Sequence, residues 1–145
     1  SSFDPNGVTP IEAGGNLGIT TSGMYTIVVD IRDFDKSKAV KLSITEPKVF
    51  GIGDSFGGWD SAVPTNIFTV DNANKNIVSP ALTATGNIRT YVQHEWIPAW
   101  WNAEFIPLNG VIKYRNNTGD IAESVPGTPG QVITYHFADN SASIN

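Results

Sequence analysis

Val132-Ile133-Thr134-Tyr135-His136-Phe137 is the stretch that decides the fold class. Ile133, Tyr135 and Phe137 alternate with Val132, Thr134 and His136, a period of two that lines one face of an extended strand with bulky apolar groups. The same alternation recurs along the chain. Tyr25, Ile27, Val29 and Ile31 share one face of 24–31, and Val40, Leu42 and Ile44 share one face of 39–45, with Lys41 and Ser43 opposite. Ile88, Thr90 and Val92 alternate with Arg89, Tyr91 and Gln93, and Ile112 and Tyr114 alternate with Val111, Lys113 and Arg115. Shorter strand-like runs are 48–53 and 67–70. Glycine, proline and asparagine separate these runs, and no stretch carries a sustained helical stripe. Many short strands with turns between them indicate an all-β sandwich or barrel. Without a crossover helix, a parallel α/β sheet is disfavoured.

The 145 residues suit one domain, or one domain plus part of a neighbour. A seam is expected at Glu46-Pro47, because proline cannot donate to a sheet ladder and holds the preceding residue extended. The expected organisation is an N-terminal β segment at 1–46, either tail strands of a preceding unit or part of the same sandwich, and a sandwich domain at 47–145. The first part holds a Gly-rich loop at Gly14-Gly15-Asn16; the second holds all four tryptophans. Residues 116–130, with Gly119, Pro126, Gly127, Pro129 and Gly130, read as a long loop, a length often used for binding.

Composition removes several function classes. There is no cysteine, which excludes disulfide scaffolds, thiol nucleophiles, cysteine-type zinc sites and iron–sulfur clusters. A formal net charge of -5 makes the chain a poor binder of nucleic-acid backbones. No apolar run is long enough to cross a bilayer. The Ser-Ser-Phe-Asp-Pro start has neither a basic nor an apolar leader region, so no signal peptide is expected, and Ser1 in place of Met suggests a processed chain or a segment.

Gly53-Asp54-Ser55-Phe56-Gly57 fits the G-x-S-x-G pattern, which marks a hydrolase only where the serine sits on a strand-to-helix elbow. No helix follows here, so a glycine-rich turn leaving a strand is expected. His94 and His136 have no metal-ligand spacing. Asp71-Asn72-Ala73-Asn74-Lys75-Asn76 lacks the glycine and terminal glutamate of a calcium loop and reads as a polar turn. Asn116-Asn117-Thr118 fits the N-glycosylation pattern, which is frequent by chance. No cofactor and no metal are called for.

The stretch richest in chemistry is Gln93-His94-Glu95-Trp96-Ile97-Pro98-Ala99-Trp100-Trp101-Asn102-Ala103-Glu104-Phe105. On an extended segment Trp100 and Trp101 would point to opposite faces, so at least one of them would line the surface or a groove. An exposed indole offers a flat apolar face and an N–H donor, which match the C–H face and hydroxyl rim of a sugar ring. Core tryptophans beneath a long loop are the other reading of the same cluster. Trp59, after Gly57-Gly58, is expected to plug the core beside its turn. Lys113 and Arg115 share a strand face, and Asn116 follows; all three can donate hydrogen bonds to hydroxyl oxygens.

Four groups of residues resemble one known family. Val49-Phe50-Gly51-Ile52-Gly53-Asp54 with Gly57-Gly58-Trp59-Asp60 resembles the opening of a carbohydrate-binding unit of the SusE/SusF family. These are outer-membrane surface lipoproteins of Bacteroides-type glycan-uptake systems. Trp100-Trp101-Asn102-Ala103-Glu104-Phe105, then Gly110-Val111-Ile112-Lys113-Tyr114-Arg115 and Gly119-Asp120, resembles the middle of such a unit, and Gly130 to Phe137 resembles its closing strand. Gly14 to Ile19 and Gly23 to Asp30 resemble the tail strands of a preceding unit.

The resemblance implies an immunoglobulin-like antiparallel β-sandwich that binds starch or another polysaccharide without catalysis. Carried over by position, the aromatic platform falls on Trp96, Trp100 or Trp101, and the polar contacts on Lys113, Arg115 and Asn116. It also implies a bacterial cell-surface location, through a lipid anchor outside this segment, with a glycan transporter complex as a further partner. The rival reading is a structural β-sandwich spacer or protein-interaction domain. A hydrolase would have to rest on Ser55 or Glu104.

Overall fold

Turn residues recur so often that the strands run only two to five residues each. The computed structural model describes residues 2–4, 10–13, 16–19, 21–37, 40–116 and 119–145, with backbone alone at 2–4, 10–13, 16–17 and 37. Gly14, Gly15, Asn117 and Thr118 lie outside the described residues, and with them part of the expected Gly-rich loop and of the glycosylation triplet. The chain divides into two units, Ser1–Pro47 and Lys48–Asn145.

The first unit contains β1 (Ser2–Asp4), β2 (Pro10–Ala13), β3 (Asn16–Ile19), β4 (Thr26–Asp30), the four-residue helix α1 (Phe34–Ser37) and β5 (Lys41–Thr45). β4 and β5 pair antiparallel with Ile27 opposite Ile44, β1 lies parallel to β5, and β2 pairs antiparallel with β3. The alternation at 24–31 thus becomes β4, but its apolar face is open: Ile27, Val29 and Ile31 are exposed.

The second unit contains β6 (Val49–Ile52), β7 (Thr69–Asp71), β8 (Asn76–Val78), β9 (Gly86–Asn87), β10 (Arg89–Val92), β11 (Glu104–Leu108), β12 (Val111–Tyr114), β13 (Pro126–Gly127), β14 (Ile133–His136) and β15 (Ser141–Ile144). Eight of these form one antiparallel sheet in the order β6-β10-β11-β12-β15-β14-β8-β7, and β9 and β13 form a separate ribbon. A bridge between Phe50 and Ile67, and the Phe68 N–H donating to the Val49 carbonyl at 2.9 Å, join the approach to β7 to β6. The sheet therefore curls round until its two halves face each other, which is a β-sandwich whose first strand meets the segment leading into its last. Asp71–Asn76 is the polar turn between β7 and β8, with Asp71 accepting from the Asn74 backbone N–H at 3.0 Å.

Aromatic rings fill the space between the halves. Phe56, Phe68, Phe105 and Tyr135 are buried. The Phe105 ring meets Tyr135 edge-on at 4.9 Å, and Phe68 stacks on Tyr135 at 6.0 Å. The Tyr135 hydroxyl is satisfied by Thr90 Oγ1 at 2.8 Å, which in turn donates to the Phe105 carbonyl at 2.5 Å. Burial pushes the Tyr135 phenol far above its ordinary pKa, against the opposing pull of the Thr90 bond, so it stays neutral at any working pH.

Two substitutions separate packing from hydrogen bonding at this centre. Phe105→Ala is expected to cost about 3–5 kcal/mol, and Tyr135→Phe about 1–2 kcal/mol. Urea denaturation followed by fluorescence measures both, and equal costs would contradict the assignment.

Candidate functional site

The register of β6, β10, β11 and β12 selects one face of the sheet for charge. Cα partners across an antiparallel ladder share a side, as do alternate residues along a strand. Arg89 pairs with Ile52, Tyr91 with Phe50 and with Glu104, and Ile106 with Lys113. Phe50, Ile52, Arg89, Tyr91, Glu104, Ile106 and Lys113 therefore project from one face, while Thr90 and Phe105 point to the aromatic core. The Arg115 N–H donates to the Glu104 carbonyl at 3.0 Å and extends this ladder past β12.

Glu104 is the pivot of that face. Its side chain is 0% exposed, and a carboxylate without water must be neutralised by partners. Arg89 Nη1 donates to one oxygen at 3.0 Å, and Arg115 Nη1 donates to the other at 2.8 Å. Arg89 Nη2 also donates to both oxygens of Asp120, at 2.9 and 3.0 Å, and Arg115 Nη1 lies 3.5 Å from Asp120. Desolvation pushes the Asp120 carboxyl up, but the Arg89 hydrogen bond and charge, the Arg115 charge and the Ile121 N–H outweigh it and hold it below the usual carboxylate range. Further out, Lys113 Nζ donates to Glu123 at 2.6 Å, and this bond depresses the Glu123 pKa.

Above this ion network stand three indoles in contact. Trp100 is half-buried on the Phe50–Ile52–Tyr91 cluster, 6.1 Å from the Tyr91 ring. Trp59 packs against it at 6.2 Å, with planes 44° apart, and Trp101 at 5.8 Å, nearly perpendicular. Trp59 is 55% exposed and Trp101 46% exposed, so both are open to solvent. The Arg89 guanidinium carbon lies 5.8 Å from the Trp59 ring and 6.0 Å from that of Trp100.

Two sequence expectations change here. Trp59 does not plug the core. Gly53 adopts φ +91°, open to glycine without strain, and Gly53 and Gly58 exchange backbone hydrogen bonds at 2.7 and 3.1 Å. The turn so closed carries Trp59 to the surface. Its ring covers Gly53, where a Cβ would stand 3.4 Å away, and its Nε1–H donates to Asp54 at 3.0 Å. Nor are Trp100 and Trp101 on an extended segment. Trp100–Ala103 is a 3-10 turn, closed by the Asn102 N–H on the Ala99 carbonyl, so the two indoles need not diverge by 180°.

The remaining expected site residues are placed as follows. Trp96 lies apart from this trio of ring contacts among the described residues. Its backbone N–H donates to His94 Nδ1 at 3.1 Å, and its ring meets the His94 ring edge-on at 5.4 Å. Arg115 and Lys113 are on the expected face but engaged with carboxylates. Asn116 is exposed at φ +54°, immediately after Arg115. Arg89 and Asp120 complete the face, and neither is among the expected site residues.

The hydrolase reading finds no geometry. Ser55 is fully buried in a 3-10 turn, with its hydroxyl donating to the Asn87 carbonyl at 3.1 Å. Glu104 is enclosed by two guanidiniums.

Residues 48–143 match the family model described as SusF/SusE starch-specific carbohydrate-binding modules. The chain is 36% identical over 138 residues to the outer membrane protein SusF of Bacteroides thetaiotaomicron, an alignment covering 92% of this chain and 27% of that protein. The crystal structure of SusF from the same organism superposes with a TM-score of 0.86 at 30% identity, over 100% of this chain and 33% of that one. The chain thus spans about a quarter to a third of these relatives.

Removing the pivot should be severe. Glu104→Ala, which leaves two guanidiniums facing an empty site, is expected to cost about 3–5 kcal/mol in urea denaturation. Asp120 has its pKa lowered on folding, so its contribution is complete above the unfolded carboxyl value, near pH 4, and is lost as pH falls through the folded value. Asp120→Asn should therefore lose less stability than the parent protein between pH 5 and pH 3. Identical pH profiles would contradict the pairing.

Proposed function

The chain belongs to the SusF/SusE family of carbohydrate-binding modules, and from that premise we propose that residues 48–145 hold a starch-like α-glucan by stacking its sugar rings on Trp59, Trp100 and Trp101. The observation that carries this reading is the pair of exposed indoles, Trp59 and Trp101, each in ring contact with a half-buried third. Burying a large exposed indole against the C–H face of a sugar supplies apolar energy without a deep pocket. Lys113, Arg115 and Asn116 lie on the same face or directly beyond it and supply donors to hydroxyls at the rim. Trp96 serves the loop that precedes the platform, through His94, rather than the platform itself.

The module is a non-catalytic binder. A shallow site of this kind has an affinity of about tens of micromolar to millimolar, and repeated units in one protein raise the effective strength. The SusF relative is named an outer membrane protein, which supports the bacterial outer-membrane surface as the location of the parent protein, with polysaccharide as partner and a glycan-uptake complex beside it. Residues 1–46 are best read as tail strands of a neighbouring unit: contacts cluster separately up to Pro47, and the family match begins at residue 48.

Affinity electrophoresis in gels containing amylopectin tests the platform. The parent protein should be retarded. Trp101→Ala, a change at an exposed side chain, should keep the fold and weaken binding about 10- to 100-fold, in the range of aromatic hot spots. Retention of full retardation by folded Trp59→Ala and Trp101→Ala proteins would remove the platform. No retardation of the parent by any of a panel of glycans would favour the spacer or docking domain instead.

A further inference from the structure

The geometry points to Arg89 as the positioning residue of the aromatic platform, held in place by the buried carboxylate of Glu104. The inference rests on the platform reading above, and it names a residue that shapes the site from beneath. Arg89 projects from β10 two positions before Tyr91, the residue on which Trp100 rests. Its guanidinium lies within 5.8 and 6.0 Å of the Trp59 and Trp100 rings, whose own planes differ by 44°. A cation beside two ring faces attracts both, so it favours one mutual setting of two indoles that come from separate segments of the chain.

Such a cation orders its neighbours only if it is itself fixed. Three hydrogen bonds fix it: one to Glu104 and two to Asp120. Glu104 is also held by Arg115, so the charges under the platform form a closed group of two arginines and two carboxylates. The planar fork is needed for this, because one guanidinium must meet two carboxylates and lie along aromatic faces at once. A lysine ammonium is a point charge and cannot do all three. Glu104 therefore acts on the glycan through Arg89, and Arg89 through Trp59 and Trp100.

The test uses Arg89→Met, near the same length without charge, and Glu104→Gln, which keeps shape and an acceptor oxygen. Titration calorimetry with maltoheptaose should show binding weakened about 10-fold or more by Arg89→Met and less by Glu104→Gln. Near-UV circular dichroism, which reports coupled indoles, should lose intensity in the same order while the far-UV spectrum stays native. A double-mutant cycle separates positioning from general destabilisation. In a Trp59→Ala background, Arg89→Met should cost much less than in the parent, because part of what it orders is gone. Full additivity, or parental affinity and an unchanged near-UV spectrum in folded Arg89→Met, would overturn the inference. If Arg89→Met does not fold, Arg89→Lys takes its place with the same expectations. If the parent protein itself binds no glycan, the platform reading fails, and the near-UV signal alone decides whether Arg89 orders the indoles.

Discussion

A carboxylate with no access to water must be neutralised where it stands, and Glu104 is such a group. Its two partners, Arg89 and Arg115, come from β10 and from the end of β12, on either side of its own strand. The pairing therefore ties three neighbouring strands on one face, while the aromatic core around Phe105 and Tyr135 ties them on the other. Asp120 adds the following loop to the same charge group. Trp59 and Trp100 lie beside Arg89 of this group, so the exposed surface they form is coupled to a buried carboxylate and not to loop geometry alone.

Most of the second unit was legible because its strands are amphipathic with period two. Runs at 88–93, 111–115 and 132–137 became β10, β12 and β14, each trimmed at the ends. β11 was harder to see. Its Glu104 and Pro107 break the apolar pattern, and only the partners of Glu104 across the ladder explain a charge at that position. β15, Ser141-Ala142-Ser143-Ile144, carries small polar residues that give no hydrophobic signal, and its place depends on pairing with β14. In the first unit the alternation at Ile27, Val29 and Ile31 does form a strand, yet that face is exposed, so periodicity marks the conformation and not the burial.

The candidate site was legible in part. Adjacent Trp100 and Trp101 signalled an aromatic surface, and Arg115 and Lys113 were on the expected face. Nothing local in the sequence marks Trp59 as a surface residue, because its exposure follows from the positive φ of Gly53 and the folded-back 53–58 turn, a tertiary consequence of a local glycine. Arg89 was hidden among apolar neighbours. An arginine in the middle of the Ile88–Val92 run is itself a signal, since a charge there requires a buried partner, and Glu104 on a neighbouring strand is that partner. Asp120 follows Gly119 in a loop, and no local pattern links it to two arginines elsewhere.

The chain belongs to a family of starch-specific carbohydrate-binding modules, and the site we propose for it is a chain of three indoles beside an ion group. The most direct test is to follow the four tryptophan indole N–H resonances of 15N-labelled protein during titration with maltoheptaose. The account predicts shifts for Trp59, Trp100 and Trp101 with one common dissociation constant, and little change at Trp96. Shifts confined to Trp96, or none at saturating sugar, would contradict it.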